Sequence, residues 1–117
     1  MTAKPLGPYT PVVRSGEWIV CSGQLGLRDG VLAGGGVADE TTQAIDNLTA
    51  LLASEGAALT DIVKTTVFLT DMAEFATMNE AYVAAFGDHR PARSTIGVAA
   101  LPVAGAAVEI EAWARKG

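Results

Sequence analysis

Two stretches decide the fold of this chain: Pro91-Ala92-Arg93-Ser94-Thr95-Ile96-Gly97-Val98 and, a short distance later, Val108-Glu109-Ile110-Glu111-Ala112. Both have the composition of β-strands. In the second, the two-residue period of a strand places Val108, Ile110 and Ala112 on one face, and Glu109, Glu111 and Trp113 on the other. The face that carries the two carboxylates is either a solvated edge or one wall of a binding site.

Charged residues make up only 18% of the chain, so the position of each one is informative. An arginine presents a planar fork of donors that matches a carboxylate, and a nearby glutamate can accept or deliver a proton. Arg93 and Glu109 together therefore predict a site for a small substrate that carries a carboxylate. The alternative is structural, with Arg93 paired to Glu109 or Glu111 in a salt bridge.

Composition sets the limits on fold and partners. A chain of 117 residues predicts one domain over residues 1–117. Hydrophobic residues make up 50%, and the mean hydropathy of +0.31 is high for so small a domain, which favours a homo-oligomer. The net charge of -5, with basic residues that never form a run, disfavours nucleic acid as a partner.

The cysteine content and the hydropathy pattern indicate the cellular compartment. The single cysteine, Cys21, lies in an apolar stretch and is expected to be an inert buried thiol in a reducing compartment. There is no charged leader followed by an apolar segment, and no long apolar span. We expect a cytoplasmic protein that does not insert into a membrane.

The rest of the chain alternates between strand and helix patterns. Strands are predicted at 12–13 and 18–22, around a turn at Gly16, and an Asp29-Gly30 turn precedes a short strand at 31–32. A helical period over 39–55 is followed by a β-branched strand at 62–70. Asp71 and Glu74 then predict the start of a second helix, which ends at Gly87.

This order predicts an α+β fold, in which two helices pack on one face of a mixed sheet. The side chains of Arg93, Glu109 and Glu111 are expected to project from the other face. A second subunit would cover that face, so the candidate site would lie at a subunit junction. His89, the only histidine, is expected in a solvated loop, which excludes a Ser-His-Asp triad with Ser22.

With these segments placed, the chain resembles the YjgF superfamily, and within it the reactive-intermediate deaminase (RidA-type) branch. The resemblance spans nearly the whole chain. It is carried, in order, by Gly7-Pro8-Tyr9, Ser22-Gly23-Gln24, Asp46-Asn47-Leu48, Val63-Lys64-Thr65-Thr66-Val67-Phe68-Leu69, Asp71-Met72, Phe75 with Asn79, Pro91-Ala92-Arg93-Ser94 and Glu109-Ile110-Glu111-Ala112.

The resemblance implies a homotrimer of chorismate-mutase-like fold, whose sheets line a central barrel and whose clefts lie between adjacent subunits. It implies hydrolysis of 2-imino and 2-enamino acids, such as 2-iminobutanoate, 2-iminopropanoate and 2-aminoacrylate, to 2-keto acids and ammonia, without a metal or organic cofactor. Two alternatives stay open: an aminoacrylate deaminase of pyrimidine breakdown, and a trimer that binds small carboxylates without turnover.

The same resemblance assigns roles to individual residues. Arg93 would bind the substrate carboxylate, and Glu109 would position the hydrolytic water. The remaining substrate-binding positions are Tyr9, Ser22, Gly23, Asn79 and Thr95. Thr95 stands where many members have cysteine, so it offers a backbone contact but no thiol.

Overall fold

The computed structural model describes residues 5–117 of the chain. The elements are β1 (Val12–Ser15), β2 (Trp18–Leu25), β3 (Leu27–Arg28), β4 (Val31–Leu32), α1 (Val37–Ser54), β5 (Ile62–Leu69), α2 (Phe75–Phe86), β6 (Ala92–Gly97) and β7 (Val108–Arg115). Short 3₁₀ turns at Leu59–Asp61 and Met72–Glu74 precede β5 and α2. The structure contains every predicted strand and helix in the predicted order, and it adds the short strand β3, which was not predicted.

The main sheet has five strands in the order β1-β2-β7-β5-β6. β5 and β6 run parallel, with α2 as the crossover between them, and every other pair is antiparallel. β3 and β4 form a separate hairpin. Its turn holds Asp29 and Gly30 at φ values of 53° and 79°, the left-handed pair that a tight hairpin of this kind requires. The topology puts β7 at the centre of the sheet and β6 at one edge.

One face of the sheet carries the hydrophobic core. Both helices pack there against apolar side chains that alternate along β2, β5 and β7. The fully buried residues of this core include Ile19, Leu48, Leu52, Val67, Met78 and Ile110. The predicted α+β fold, with two helices on one side of a mixed sheet, is confirmed.

The opposite side of the sheet, which we call the open face, has no covering element among residues 5–117. Large apolar side chains stand exposed on it: Val13 at 48%, Trp113 at 46% and Ile96 at 46%. Their strand partners place them on the same side as Glu109 and away from the helices. Exposed apolar surface of this kind commonly marks an interface.

The helix starts differ slightly from the prediction. α1 begins at Val37 instead of residue 39, and it follows Gly36, whose φ of 75° favours glycine. Asp71 Oδ1 accepts from the Ala73 N–H at 2.9 Å, as a cap should, but a 3₁₀ turn comes first and α2 itself begins at Phe75. Within residues 5–117, no helix combines the length and apolar character needed to cross a membrane.

His89 departs from its prediction. It is half-buried, and its Nε2 lies 2.8 Å from the Ile62 carbonyl oxygen, to which it donates. Its ring packs 6.2 Å from the Phe86 ring. The prediction of a solvated side chain is therefore wrong, because the loop after α2 turns back onto the start of β5. No single-sequence pattern shows that contact between residues 27 positions apart.

Candidate functional site

The first half of the candidate site is a cavity on the open face. It has a volume of about 410 Å³ and is lined by Tyr9, Ser22, Gly23, Phe68, Pro102, Glu109 and Glu111. Four of the predicted site residues, Tyr9, Ser22, Gly23 and Glu109, thus come together as expected. The N-terminal arm, β2, β5, β7 and the loop before β7 all contribute to this wall.

Glu109 is the titratable group at the centre of this cavity. It is half-buried on β7, between Leu25 of β2 and Phe68 of β5. Burial, and then the neighbouring negative charge of Glu111, raise the pKa of the Glu109 carboxyl above its usual range. Within residues 5–117 no cation forms a salt bridge with it. A carboxyl whose pKa is raised in this way is a stronger base when it is ionised, which suits it to accept a proton and return it.

Gly23 leaves the space that Glu109 occupies. β2 is irregular between Cys21 and Gln24, where its register against β7 shifts. A Cβ atom on Gly23 would lie 2.8 Å from Glu109 Cδ, closer than carbon atoms pack. Glycine is therefore required at position 23, because a side chain there would displace the Glu109 carboxyl group from its place against β2.

Tyr9 and Ser22 belong to the arm and its anchor. The Ser22 hydroxyl donates to the Thr10 carbonyl at 2.7 Å, and the Ser22 N–H donates to the Pro11 carbonyl at 2.8 Å. Tyr9 is 44% exposed, and its hydroxyl accepts from the Leu6 N–H at 3.1 Å. Ser22 thus fixes the arm along β2, and the arm brings the Tyr9 ring to the cavity rim.

The second half of the candidate site surrounds Arg93 on the other side of the sheet. Arg93 is half-buried on the edge strand β6, where its strand partner is the fully buried Thr65. Its Cζ lies 4.8 Å from the centroid of the Tyr82 ring and 5.6 Å from that of Phe75. Its Nη1 lies 4.0 Å from Met78 Sδ. The guanidinium therefore rests on α2.

Asn79 and Thr95 belong to the same half. Thr95 is two residues beyond Arg93 on β6, so it points to the same side of the strand. Asn79 is on α2, next to Met78 and one helical turn before Tyr82. Its Oδ1 is buried and has no hydrogen-bond partner among residues 5–117. A buried acceptor of this kind needs a donor from elsewhere.

The prediction that Arg93 and Glu109 project from one face is wrong. The pleat puts Arg93 with Thr65, on the side of α2, and Glu109 with Phe68, on the open face. The residues of an edge strand are partly exposed on both faces, so the alternation of 92–97 did not distinguish them. A salt bridge between Arg93 and Glu109 or Glu111 within one protomer is absent from residues 5–117.

Sequence reasoning also missed several residues around the site. Phe68 and Pro102 line the cavity with Glu109, and the ring of Tyr82 lies under the Arg93 guanidinium. Phe68 could have been found, because it alternates with the buried Val67 and Leu69 and so faces the other side. A second cavity of about 740 Å³ beyond Tyr9 and Gly23 was not predicted at all.

Cys21 is not part of the candidate site. It is buried on the helix side of β2, and burial raises the pKa of its thiol to about 11. The thiol is therefore protonated at neutral pH and unreactive, in agreement with the sequence prediction.

With this geometry in place, comparison with known proteins identifies the family. The sequence model of the family described as Endoribonuclease L-PSP matches residues 1–116. The chain belongs to this family. Among solved members, the YjgF gene product of E. coli superposes with a TM-score of 0.92 at 39% identity, covering 99% of this chain and 94% of that one. The resemblance to the YjgF superfamily is thereby confirmed.

Two further members bear on the chemistry of the Endoribonuclease L-PSP family. The chain is 46% identical over 114 residues to the 2-iminobutanoate/2-iminopropanoate deaminase of Mus musculus. The matched region covers 96% of this chain and 84% of the relative. E. coli TdcF, solved with bound serine, superposes with a TM-score of 0.92 at 35% identity, covering 99% of this chain and 94% of that one.

Proposed function

We propose that this protein is a homotrimeric deaminase that hydrolyses 2-imino and 2-enamino acids to 2-keto acids and ammonia. The observation that carries the proposal is a pair of half-buried opposite charges. The Arg93 guanidinium and the Glu109 carboxyl have no salt-bridge partner within residues 5–117. A substrate that carries a carboxylate and hydrolyses at the adjacent carbon uses both groups. The name of the Mus musculus relative supports this substrate class.

The proposed site contains residues of two protomers. Arg93 and Glu109 lie on opposite sides of one sheet, so a single protomer cannot present both to one small ligand. Arg93 is on the edge strand, where a neighbouring copy can approach, and the exposed Val13, Ile96 and Trp113 give the open face an apolar surface to bury. In the proposed trimer, the Arg93 side of one protomer faces the Glu109 cavity of the next.

In the proposed mechanism, Arg93 binds the substrate carboxylate through two charge-assisted hydrogen bonds, a contact worth about 1.5–3 kcal/mol. Glu109 accepts a proton from water as the water oxygen attacks the imine carbon. Glu109 returns that proton to nitrogen, which gives the neutral carbinolamine. The carbinolamine hydroxyl then loses its own proton, which passes by way of Glu109 to nitrogen, the C–N bond breaks, and ammonia leaves as the keto group forms. Imines hydrolyse slowly without help, so orientation and proton transfer suffice for the acceleration. Tyr9 closes the rim of the cavity.

The test is a coupled assay. A serine dehydratase releases 2-aminoacrylate in solution, and keto-acid formation is followed with and without this protein, at rising concentrations. We expect the rate of keto-acid release to increase in proportion to the protein, and the Glu109→Gln variant to abolish the increase. A rate that does not depend on the protein would contradict the proposal.

A second candidate is a trimer that binds small amino or keto acids without turnover. The serine bound in E. coli TdcF, a member of the same fold, favours this alternative. Thermal shifts with 2-oxobutanoate or serine, in the absence of keto-acid release from aminoacrylate, would select it.

The family description itself raises ribonuclease activity. The net charge of -5 and the scattered basic residues disfavour a groove that binds the phosphate backbone. An assay on single-stranded RNA, run beside the deaminase assay with the same preparation, separates the two activities. We expect no cleavage above a buffer control.

A further inference from the structure

Arg93 has an unusual environment for an arginine. Its guanidinium contacts two aromatic rings and a thioether, all from α2. Arginine side chains that lie over aromatic faces within about 6 Å are stabilised by cation–π attraction. Because a ring attracts the charge without neutralising it, the donor fork stays free for a carboxylate. The environment therefore orients the group and leaves it unpaired.

The Tyr82 ring is itself fixed in place. Its hydroxyl lies 2.7 Å from Thr65 Oγ1, and both residues are buried. Phe86 packs against the same ring with a centroid distance of 4.5 Å. Thr65 is also the residue of β5 that pairs with Arg93 in β6. Thr65 thus holds the far end of the Tyr82 ring, and it lies beside Arg93 in the neighbouring strand.

We infer that Tyr82, held by Thr65, is a positioning residue for the substrate-binding Arg93. The inference rests on the proposed function for the identity of the ligand. Without the ring, the long arginine side chain would sample many rotamers and lose this freedom on each binding event, which weakens affinity. The ring supplies that order before the ligand arrives. Tyr82 thus acts on binding of the carboxylate and leaves the proton transfer at Glu109 unaffected.

The experiment measures Kd for 2-oxobutanoate by calorimetry, together with kcat and KM in the aminoacrylate assay. For Tyr82→Leu we expect Kd and KM to rise roughly 3- to 30-fold with kcat within about twofold, the range of a lost cation–π contact. Tyr82→Phe keeps the ring, and we expect it to stay within about threefold of wild type. Ile19→Ala is the control, because it removes buried core volume on β2, three strands away from β6, and so reports the effect of a general loss of stability.

A rise in Kd for Ile19→Ala as large as that for Tyr82→Leu would overturn the inference, since a general loss of stability would then explain both. A second readout is independent of how well the variants fold. In wild-type protein, ring currents should shift the Arg93 side-chain resonances upfield, and Arg93→Lys identifies them by their loss. Arg93 side-chain resonances at the chemical shifts of an ordinary arginine would also overturn the inference. Absence of turnover in wild type contradicts the proposed function, while the Kd values still test the positioning role.

Discussion

The two sides of the sheet place a half-buried charged residue in opposite kinds of environment. On the open face, Glu109 lies in a cavity of backbone, aromatic and carboxylate groups, and its neighbours favour the protonated form. On the helix side, the Arg93 guanidinium lies over two aromatic rings, whose faces attract its positive charge. Neither group is neutralised within residues 5–117. A half-buried charge without a partner is costly, and such residues cluster at functional sites. This contrast supports our proposal that each side of the sheet contributes half of a site that is completed between protomers.

We expect the largest loss of activity when the open-face half of the site is disabled. Glu109→Gln keeps the size of the side chain but cannot accept a proton, so we expect the deaminase rate to fall roughly 10²-fold or more, as for other general bases. The coupled keto-acid assay measures it. Glu80→Gln, on the exposed surface of α2, is the control and should leave the rate unchanged. Equal rates for wild type and Glu109→Gln would remove Glu109 from the mechanism.

We expect the next largest loss of activity when the helix-side half of the site is disabled. Arg93→Ala deletes the contact with the substrate carboxylate, and we expect kcat/KM to fall roughly 10- to 100-fold, the equivalent of about 1.5–3 kcal/mol. Size-exclusion chromatography should show an unchanged oligomer. The matched control is Arg115→Ala, because Arg115 also stacks on an aromatic ring but lies at the exposed end of β7. An active Arg93→Ala protein would refute the assignment.

A smaller effect is expected where the backbone makes room for Glu109. The methyl group of Gly23→Ala would meet the Glu109 carboxyl, and displacing that group should lower kcat roughly tenfold, given an overpacking cost of about 1–3 kcal/mol. Gly34→Ala is the control, since a Cβ there meets nothing within 4 Å. Thermal melts of both variants show whether the loss is local. Wild-type kcat in Gly23→Ala would mean that the carboxyl position does not matter.

The smallest expected effect is a shift in pH dependence. Glu109 acts as a base in its ionised form, so the rate should fall as pH drops through its raised pKa. Glu111→Gln removes a negative neighbour that raises the Glu109 pKa, so the acid limb of the kcat/KM profile should move to lower pH. A profile that keeps its position, or moves to higher pH, would show that Glu111 does not control Glu109.

The sequence predicted the fold and the composition of the open-face half well, because both follow from local patterns. Alternation in β7 fixed the direction of Glu109. The strand predicted at 18–22 instead continues to Leu25, through the irregularity between Cys21 and Gln24. The direction of Arg93 could not be predicted, because an edge strand lacks a clearly apolar face. The contacts of Tyr82 with Arg93 and of His89 with Ile62 depend on the docking of α2 on the sheet, which no local pattern encodes.

In the proposed trimer, each site takes Arg93 from one protomer and Glu109 from another. Two variants of strongly reduced activity, Arg93→Ala and Glu109→Gln, are co-expressed with different affinity tags, and oligomers that carry both tags are purified in tandem. In a cyclic trimer of mixed composition one junction joins an intact Arg93 to an intact Glu109, so we predict about a third of the wild-type rate. Mixed trimers that stay as inactive as either parent would contradict the account.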